Sequence, residues 1–267
     1  MTKTENLLAR KGVSYEELKS LLKNRRKTVK VSQPRVSKSY RFAIVSDTHL
    51  CDKGCAIEEL HQFYHMCKEQ GIKDIVHAGD IVAGMNVYKG QVNDLVAFGL
   101  DAQVKYVVKQ YPQIEGITTY FITGNHCESF QTHAGADVGE LISERRPDLK
   151  YLGLHDAQVV LNGVSIGLHH GAKGVPYAVS YHMQKYVEKI GAGQKPQIYV
   201  LGHYHSSFYM FYRGIHCFLP GCWQRANAFS VRLGLPECIG GWIIDLQIED
   251  DKRNTIRSIN QKFVAFY

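Results

Sequence analysis

Five short clusters of Asp, Asn and His hold the side chains of this sequence best suited to chemistry. They are Asp47-Thr48-His49, Gly79-Asp80, Gly124-Asn125-His126, His169-His170-Gly171 and Gly202-His203-Tyr204-His205. Most follow a short apolar run, and polar residues leaving a buried strand project from one edge of an α/β sheet, where sites form. The donors are carboxylate and amide oxygens and imidazole nitrogens, without thiolates. Such a set suits two borderline divalent ions (Mn²⁺, Fe²⁺ or Zn²⁺) and not a structural zinc site. Side chains two apart in an extended chain share a face, so Asp47 with His49, and His203 with His205, each offer a donor pair to one cage. Asp80 has two oxygens and can bridge two cations, offsetting their repulsion. Glycines 79, 124, 171 and 202 adjoin these donors, where the chain must turn sharply or approach closely. One histidine after a strand is ordinarily a satisfied polar residue; five clusters in series imply a site.

The elements that position them follow from the apolar runs. Strands are predicted over 42–45, 74–76 and 118–122, separated by helices over 57–70 and 92–110, a βαβαβ rhythm that implies a parallel sheet. A helix over 138–145 follows. Strands then dominate, over 157–161, 164–168, 198–201, 208–212, 215–219, 242–247 and 256–259, with helical periodicity over 179–190. Two sheets packed face to face with helices outside is the economical architecture.

At 267 residues and 45% apolar composition, the chain suits one globular domain with an appendage. No apolar run approaches the roughly 20 residues of a membrane span, and the start lacks the apolar stretch of a secretory signal. A cytoplasmic protein without a membrane partner is expected. The 7 cysteines lack CxxC pairs and are expected as reduced thiols. The net charge of +7 is concentrated: residues 1–41 hold 12 Lys or Arg against 3 acids, leaving 42–267 at −2. Residues 1–39 are expected as a basic helical arm and linker, and 40–267 as the catalytic domain. In the arm, 5–11 can form a helix stopped at Gly12. Ser14-Tyr15-Glu16-Glu17 is a capping box opening a second helix. This helix-turn-helix-like unit ends in Lys23, Arg25, Arg26 and Lys27, with Lys30 beyond; residues 28–39, with Pro34, read as linker. These bases could neutralise nucleic-acid phosphates. A solvated tail, or a docking or oligomerisation element, is the alternative.

The series Asp47-Thr48-His49, Gly79-Asp80, Gly124-Asn125-His126, His170-Gly171 and Gly202-His203-Tyr204-His205 resembles the signature of calcineurin-like metallophosphoesterases, and the resemblance covers residues 41–205. It implies an α/β fold, a four-layer αββα sandwich of two mixed β-sheets flanked by helices, with two divalent metal ions, Mn first and Fe or Zn as alternatives. By the resemblance, Asp47, His49 and His205 hold one metal, Asn125, His170 and His203 the other, and Asp80 bridges them. His126 faces the scissile phosphate. Two departures stand out. The family usually has an acid directly after Gly-Asn-His, where this chain has Cys127 with Glu128 one further on. His169 and His170 are adjacent, and His170 is chosen because the family's ligand precedes the glycine.

Two metals about 3.5–4 Å apart make hydroxide available near neutral pH for in-line attack on phosphorus. The expected function is therefore metal-dependent phosphoester hydrolysis by a metal-bridging hydroxide, with Asp80 and His126 as catalytic residues. The first substrate hypothesis is nucleic acid, by similarity to repair nucleases of the superfamily and its phage- and prophage-encoded members. It rests on the basic arm and on an aromatic stretch, Tyr204, Phe208, Tyr209, Phe211, Tyr212, Phe218 and Trp223. Those aromatics could stack on bases, or belong to a hairpin alternating between core and surface. A phosphomonoesterase is the alternative. Against a protein phosphatase, Gly79-Asp80-Ile81-Val82-Ala83-Gly84-Met85 lacks the Asp-Arg pair that such enzymes carry after the bridging carboxylate. A catalytically inactive binding module is a third reading.

Overall fold

The computed structural model describes residues 27–31, 37–191, 193–249 and 254–267. The predicted arm helices, with Lys23, Arg25 and Arg26, lie outside the described residues. In chain order the strands are β1 (Lys27–Lys30), β2 (Ser39–Val45), β3 (Asp74–His77), β4 (Thr118–Thr123), β5 (Leu149–Leu154) and β6 (Asp156–Leu161). They continue as β7 (Val164–His170), β8 (Ile198–Gly202), β9 (Ser207–Tyr212), β10 (Ile215–Pro220), β11 (Gly240–Ile248) and β12 (Ile256–Ala265). The helices are α1 (Ile57–Glu69), α2 (Leu100–Gln110), α3 (Asn125–Ala134), α4 (Val138–Arg145), α5 (Tyr181–Glu188) and α6 (Ala228–Leu233).

The strands form two mixed six-stranded sheets, ordered β12-β11-β2-β3-β4-β5 and β1-β6-β7-β8-β10-β9. In the first, β2 to β5 run parallel, and β11 and β12 add antiparallel pairs. Period-two alternation in β2 sends Phe42 and Ile44 toward the facing sheet and Ala43 and Val45 toward the helices, all four fully buried. Burial on both faces explains why this strand reads as a continuous apolar run. Between the sheets, Phe42, Ile44 and Trp242 pack with Ile166, Val200 and Phe218. Leu60 and Phe63 of α1 and Val104 and Val107 of α2 cover the outer face of the first sheet. Met183 and Val187 of α5 cover the second. Each fully buried large apolar side chain contributes roughly 1.5–3 kcal/mol.

The long helix expected over 92–110 is instead a 3₁₀ turn, Gln91–Asn93, and the helix α2. Gly99 stands between them with φ 84° and ψ 161°, incompatible with helix. The intervening chain bonds another loop, with Val96 N–H donating to Cys51 O at 2.9 Å and Lys53 N–H to Asp94 O at 2.8 Å. Part of the segment read as linker is a strand: β1 pairs in parallel with β6, and Val29 packs against the inter-sheet core. No helix among the described residues is long and apolar enough to cross a membrane. The seven cysteines are free.

Candidate metal centre

The candidate ligands meet beyond the C-terminal ends of β2, β3, β4, β7 and β8. Asp47 (φ 52°), His49 (43°), Asp80 (53°), His203 (86°) and His205 (49°) all have left-handed backbones. Asp47 with His49 and His203 with His205 therefore do not converge as alternate residues of an extended chain, as the spacing suggested; the backbone curls at each donor. For non-glycine residues this costs on the order of 1–3 kcal/mol each, and such strain persists only where surrounding bonds hold it. They do: Asp47 N–H donates to Gly79 O (2.9 Å), His49 N–H to Asp80 O (3.0 Å), and Trp223 N–H to Asp47 O (3.0 Å).

Two donor groups result, Asp47 with His49 and His205, and Asp80 with His170 and His203, linked by a third of His49, Asp80 and His126. In the first, Nε2 of His205 lies 3.5 Å from Asp47 Oδ1 and 3.1 Å from Nε2 of His49. In the second, His170 Nδ1–H donates to Ala78 O at 2.9 Å, so in the neutral ring Nε2 carries a lone pair. That Nε2 faces Asp80 Oδ2 at 3.0 Å and Asn125 Oδ1 at 3.2 Å. His203 donates from Nε2 to Lys173 O at 3.0 Å, which leaves Nδ1 as its available donor atom. Acceptors thus converge on acceptors in a buried site, an arrangement only a proton or a cation can satisfy. This donor chemistry fits a pair of divalent ions.

The electrostatics agree. Burial alone would raise the Asp47 and Asp80 carboxyls, but hydrogen bonds and neighbouring imidazoles hold both well below the usual carboxylate range. Burial opposes a charge on His170, yet the Asp80 and Asp47 carboxylates raise it to about 9, so the surroundings of this nitrogen favour positive charge. Burial, then the charge of His170, lowers His203 to about 4. Burial and His126 hold His49 well below its ordinary value.

Asn125 and His126 open α3, which sequence reasoning missed. His126 N–H donates to Asp80 Oδ1 at 2.9 Å, tying the helix start to the candidate bridging carboxylate. His126 Nδ1–H donates to Ala83 O at 2.7 Å, and the residue also lies within a grouping of His49, Asp80 and His126. Glu128 does not replace the acid that the family carries after Gly-Asn-His: it pairs with His155 at 3.0 Å, while Cys127 is buried in the core. A backbone carbonyl orients His126 instead. His169 turns to the other face of β7, against Tyr186 and Tyr199, and of the two adjacent histidines His170 reaches Asp80.

Beneath the ligands lies a support that the motifs did not reveal. Gly79 N–H donates to His77 Nδ1 at 3.2 Å, so the neutral His77 ring carries its proton on Nε2 and donates to Thr48 Oγ1 at 3.1 Å. Thr48 donates in turn to Ile81 O at 3.1 Å. The chain ties the loop bearing Asp47 and His49 to the loop bearing Asp80. His77, three residues before Asp80, is fully buried, which the sequence alone does not signal.

A cavity of about 280 Å³ opens onto His49, Asp80, Asn125, His126, His203 and His205. Its walls are Val87 and Tyr88, Gly174 and Val175, and residues 224–237 including α6. Asn227 caps α6 and reaches across, donating from Nδ2 to Tyr88 Oη at 3.0 Å. The pattern Asn227-x-x-Ser230 could have flagged this helix. Of the two readings of the aromatic stretch, the hairpin of core and surface residues holds for most of it. Phe218 and Trp223 are fully buried, Tyr204 is buried, and Phe208, Tyr209 and Tyr212 pack against the apolar clusters; Phe211 is exposed. Lys27 and the exposed Lys30 lie on edge strand β1, two strands removed from β7.

Two facing mixed sheets with Asp, Asn and His converging at strand ends define a metallophosphoesterase-type protein. The profile of the calcineurin-like phosphoesterase superfamily domain matches residues 40–232, and the chain belongs to that superfamily. It is similar to the DNA polymerase II small subunit of Archaeoglobus fulgidus, 25% identical over 241 residues, covering 74% of this chain and 49% of that protein. It is also similar to the DNA polymerase II small subunit of Halobacterium salinarum, 22% identical over 257 residues, covering 82% and 51%. The chain thus spans about half the length of these curated relatives. Among solved structures it is similar to an archaeal phosphodiesterase (TM-score 0.46, 12% identity, 84% of this chain and 100% of that one). Vacuolar protein sorting 29 from Cryptosporidium parvum also matches (TM-score 0.46, 14% identity, 85% and 98%).

Proposed function

We propose that this protein is a dinuclear-metal phosphodiesterase acting on nucleic acid. The observation that carries the reading is the convergence of Asp47, His49, Asp80, Asn125, His170, His203 and His205 as mutually facing acceptors, with His49, Asp80, Asn125, His203 and His205 lining a cavity. Asp47, His49 and His205 would hold one ion and Asn125, His170 and His203 the other, with Asp80 between them. Manganese is the first candidate, iron or zinc the alternatives. Bound there, two divalent ions would supply Lewis acidity toward the phosphoryl oxygens and a nucleophile near neutral pH. The chain's own contribution is to fix the donors through strained, hydrogen-bonded loops and to aim His126. With Nδ1–H committed to Ala83 O, His126 presents Nε2, from which its protonated form would donate to the leaving oxygen. The DNA polymerase subunits among the relatives support a nucleic-acid substrate. A phosphomonoesterase is the second reading, favoured by the compactness of the 280 Å³ cavity.

The test compares bis- and mono-nitrophenyl phosphate with added Mn²⁺. The diester is the expected substrate. Turnover of the mono-ester alone would replace this reading with a phosphatase. Asp80→Asn is expected to abolish metal-dependent turnover, whereas His126→Ala should keep metal while slowing chemistry by roughly 10²–10⁴-fold. Loss of metal from His126→Ala would make His126 a ligand.

A further inference from the structure

Eleven large apolar side chains are exposed among the described residues, and nine of them fall in three segments, 84–99, 171–181 and 224–237. These are the segments that supply Val87 and Tyr88, Gly174 and Val175, and the α6 wall to the cavity over the metal centre. Tyr177 is fully exposed; Val231 and Leu233 on α6, Val175 opposite, and Val92 and Phe98 on the third segment are between 40% and 69% exposed. Exposed apolar groups scattered singly need no explanation, but a concentration around a site marks what the site receives. Exposed basic side chains lie among them: Lys89, Lys173 and Arg232, with Arg225 paired to Glu59, against the acids Asp94 and Glu237 in the same segments.

We propose that this apolar, basic collar receives the unpaired bases of a single-stranded nucleic acid whose phosphodiester lies on the metal floor. The inference rests on the phosphodiesterase reading. Single strands expose π-faces that sit on aromatic and aliphatic side chains, and phosphates that sit on Lys and Arg, a combination tolerant of sequence. A duplex hides its bases in the stack and offers the collar only phosphates. It is held chiefly by charge, and the three segments of the collar together hold only four Lys or Arg against two acids. A protein partner fits less well. Stable interfaces bury about 1,600 Å² over a continuous core, whereas these side chains are spread over three separate segments, with Val175 and Leu233 lining a cavity whose floor is polar.

The test is fluorescence anisotropy with the metal-loaded protein, using labelled oligothymidine with phosphorothioate linkages and a duplex of the same length. The single strand is expected to bind about tenfold or more tighter at physiological salt. Tyr177→Ala and Leu233→Ser, both at exposed positions, should each weaken single-strand binding by about fivefold or more, the low end of the stacking range. Tyr177→Trp should retain it. Duplex binding equal to or tighter than single-strand binding, or unchanged binding in both weakening variants, would overturn the collar. So would concentration-dependent dimerisation, seen by sedimentation, that blocks the oligonucleotide and is lost in the same variants. Hydrolysis of the small diester is read in parallel on the unmodified protein. Turnover without single-strand binding sinks the collar alone, whereas absence of both metal and turnover sinks the phosphodiesterase reading beneath it.

Discussion

His77 shows how a residue outside the ligand set governs the site. Its Nδ1 accepts from Gly79 N–H, so adding a second ring proton would set two donors against each other. Burial first of all lowers its pKa to about 4. An unfolded histidine titrates near 6.5, so between about pH 4 and 6.5 the unfolded chain binds the extra proton and the native chain does not. Stability contributed by this group therefore falls as pH drops through that window, by about 3 kcal/mol at pH 4. Urea denaturation of the metal-free protein at several pH values is expected to show this slope. His77→Gln, which cannot titrate, should show a shallower one, and parallel slopes would contradict the assigned tautomer. The residue motifs themselves were legible because aspartate and histidine clusters are rare at strand ends. The support was not, because a buried histidine in a strand looks like any other polar residue until its tautomer is fixed by a specific N–H.

Among the elements, α3 is the one whose start is packed against Asp80 and His170. Its start requires glycine at 124: a Cβ there would lie 2.4 Å from Asp80 Oδ1 and 2.6 Å from the His170 ring. Gly124→Ala must push Asp80, His170 or the helix aside, costing roughly 1–3 kcal/mol of stability as overpacking does. Its metal occupancy, measured after desalting, is expected to fall well below that of the unmodified protein; equal occupancy would mean that the helix start does not set the ligand geometry. The strands of the parallel core were legible from continuous apolar runs such as 42–45 and 118–122. The helix α3 was not, because Asn125-His-Cys-Glu-Ser has neither an apolar stripe nor a strong N-cap, and its first turn is held by Asp80 instead. β5 escaped because its apolar residues are interrupted by Lys150 and Gly153. The helix expected over 92–110 overran because periodicity does not register one glycine with a positive φ.

For the whole molecule, the charge is uneven: seven Lys or Arg and three acids precede β1, within residues 1–26. Because β1 completes the sheet, an informative truncation removes 1–26 and leaves 27 onward. If those bases neutralise phosphates, the truncated protein should bind nucleic acid more weakly, with a shallower fall of log K against log salt. An unchanged salt slope would assign the segment to tethering or assembly. The facing sheets and most strand segments could be anticipated from patterning alone, whereas β1, β5, the order of strands within each sheet and the cavity walls could not, since α6 and the 84–99 loop are placed by cross-loop bonds such as Asn227 to Tyr88. The proposed chemistry depends on the caging of two cations by side chains drawn from five strand ends. Elemental analysis of the protein after incubation with manganese and desalting tests that most directly. Two metal equivalents per chain, falling sharply in Asp80→Asn, is the expected result; a protein that retains no stoichiometric metal would contradict it.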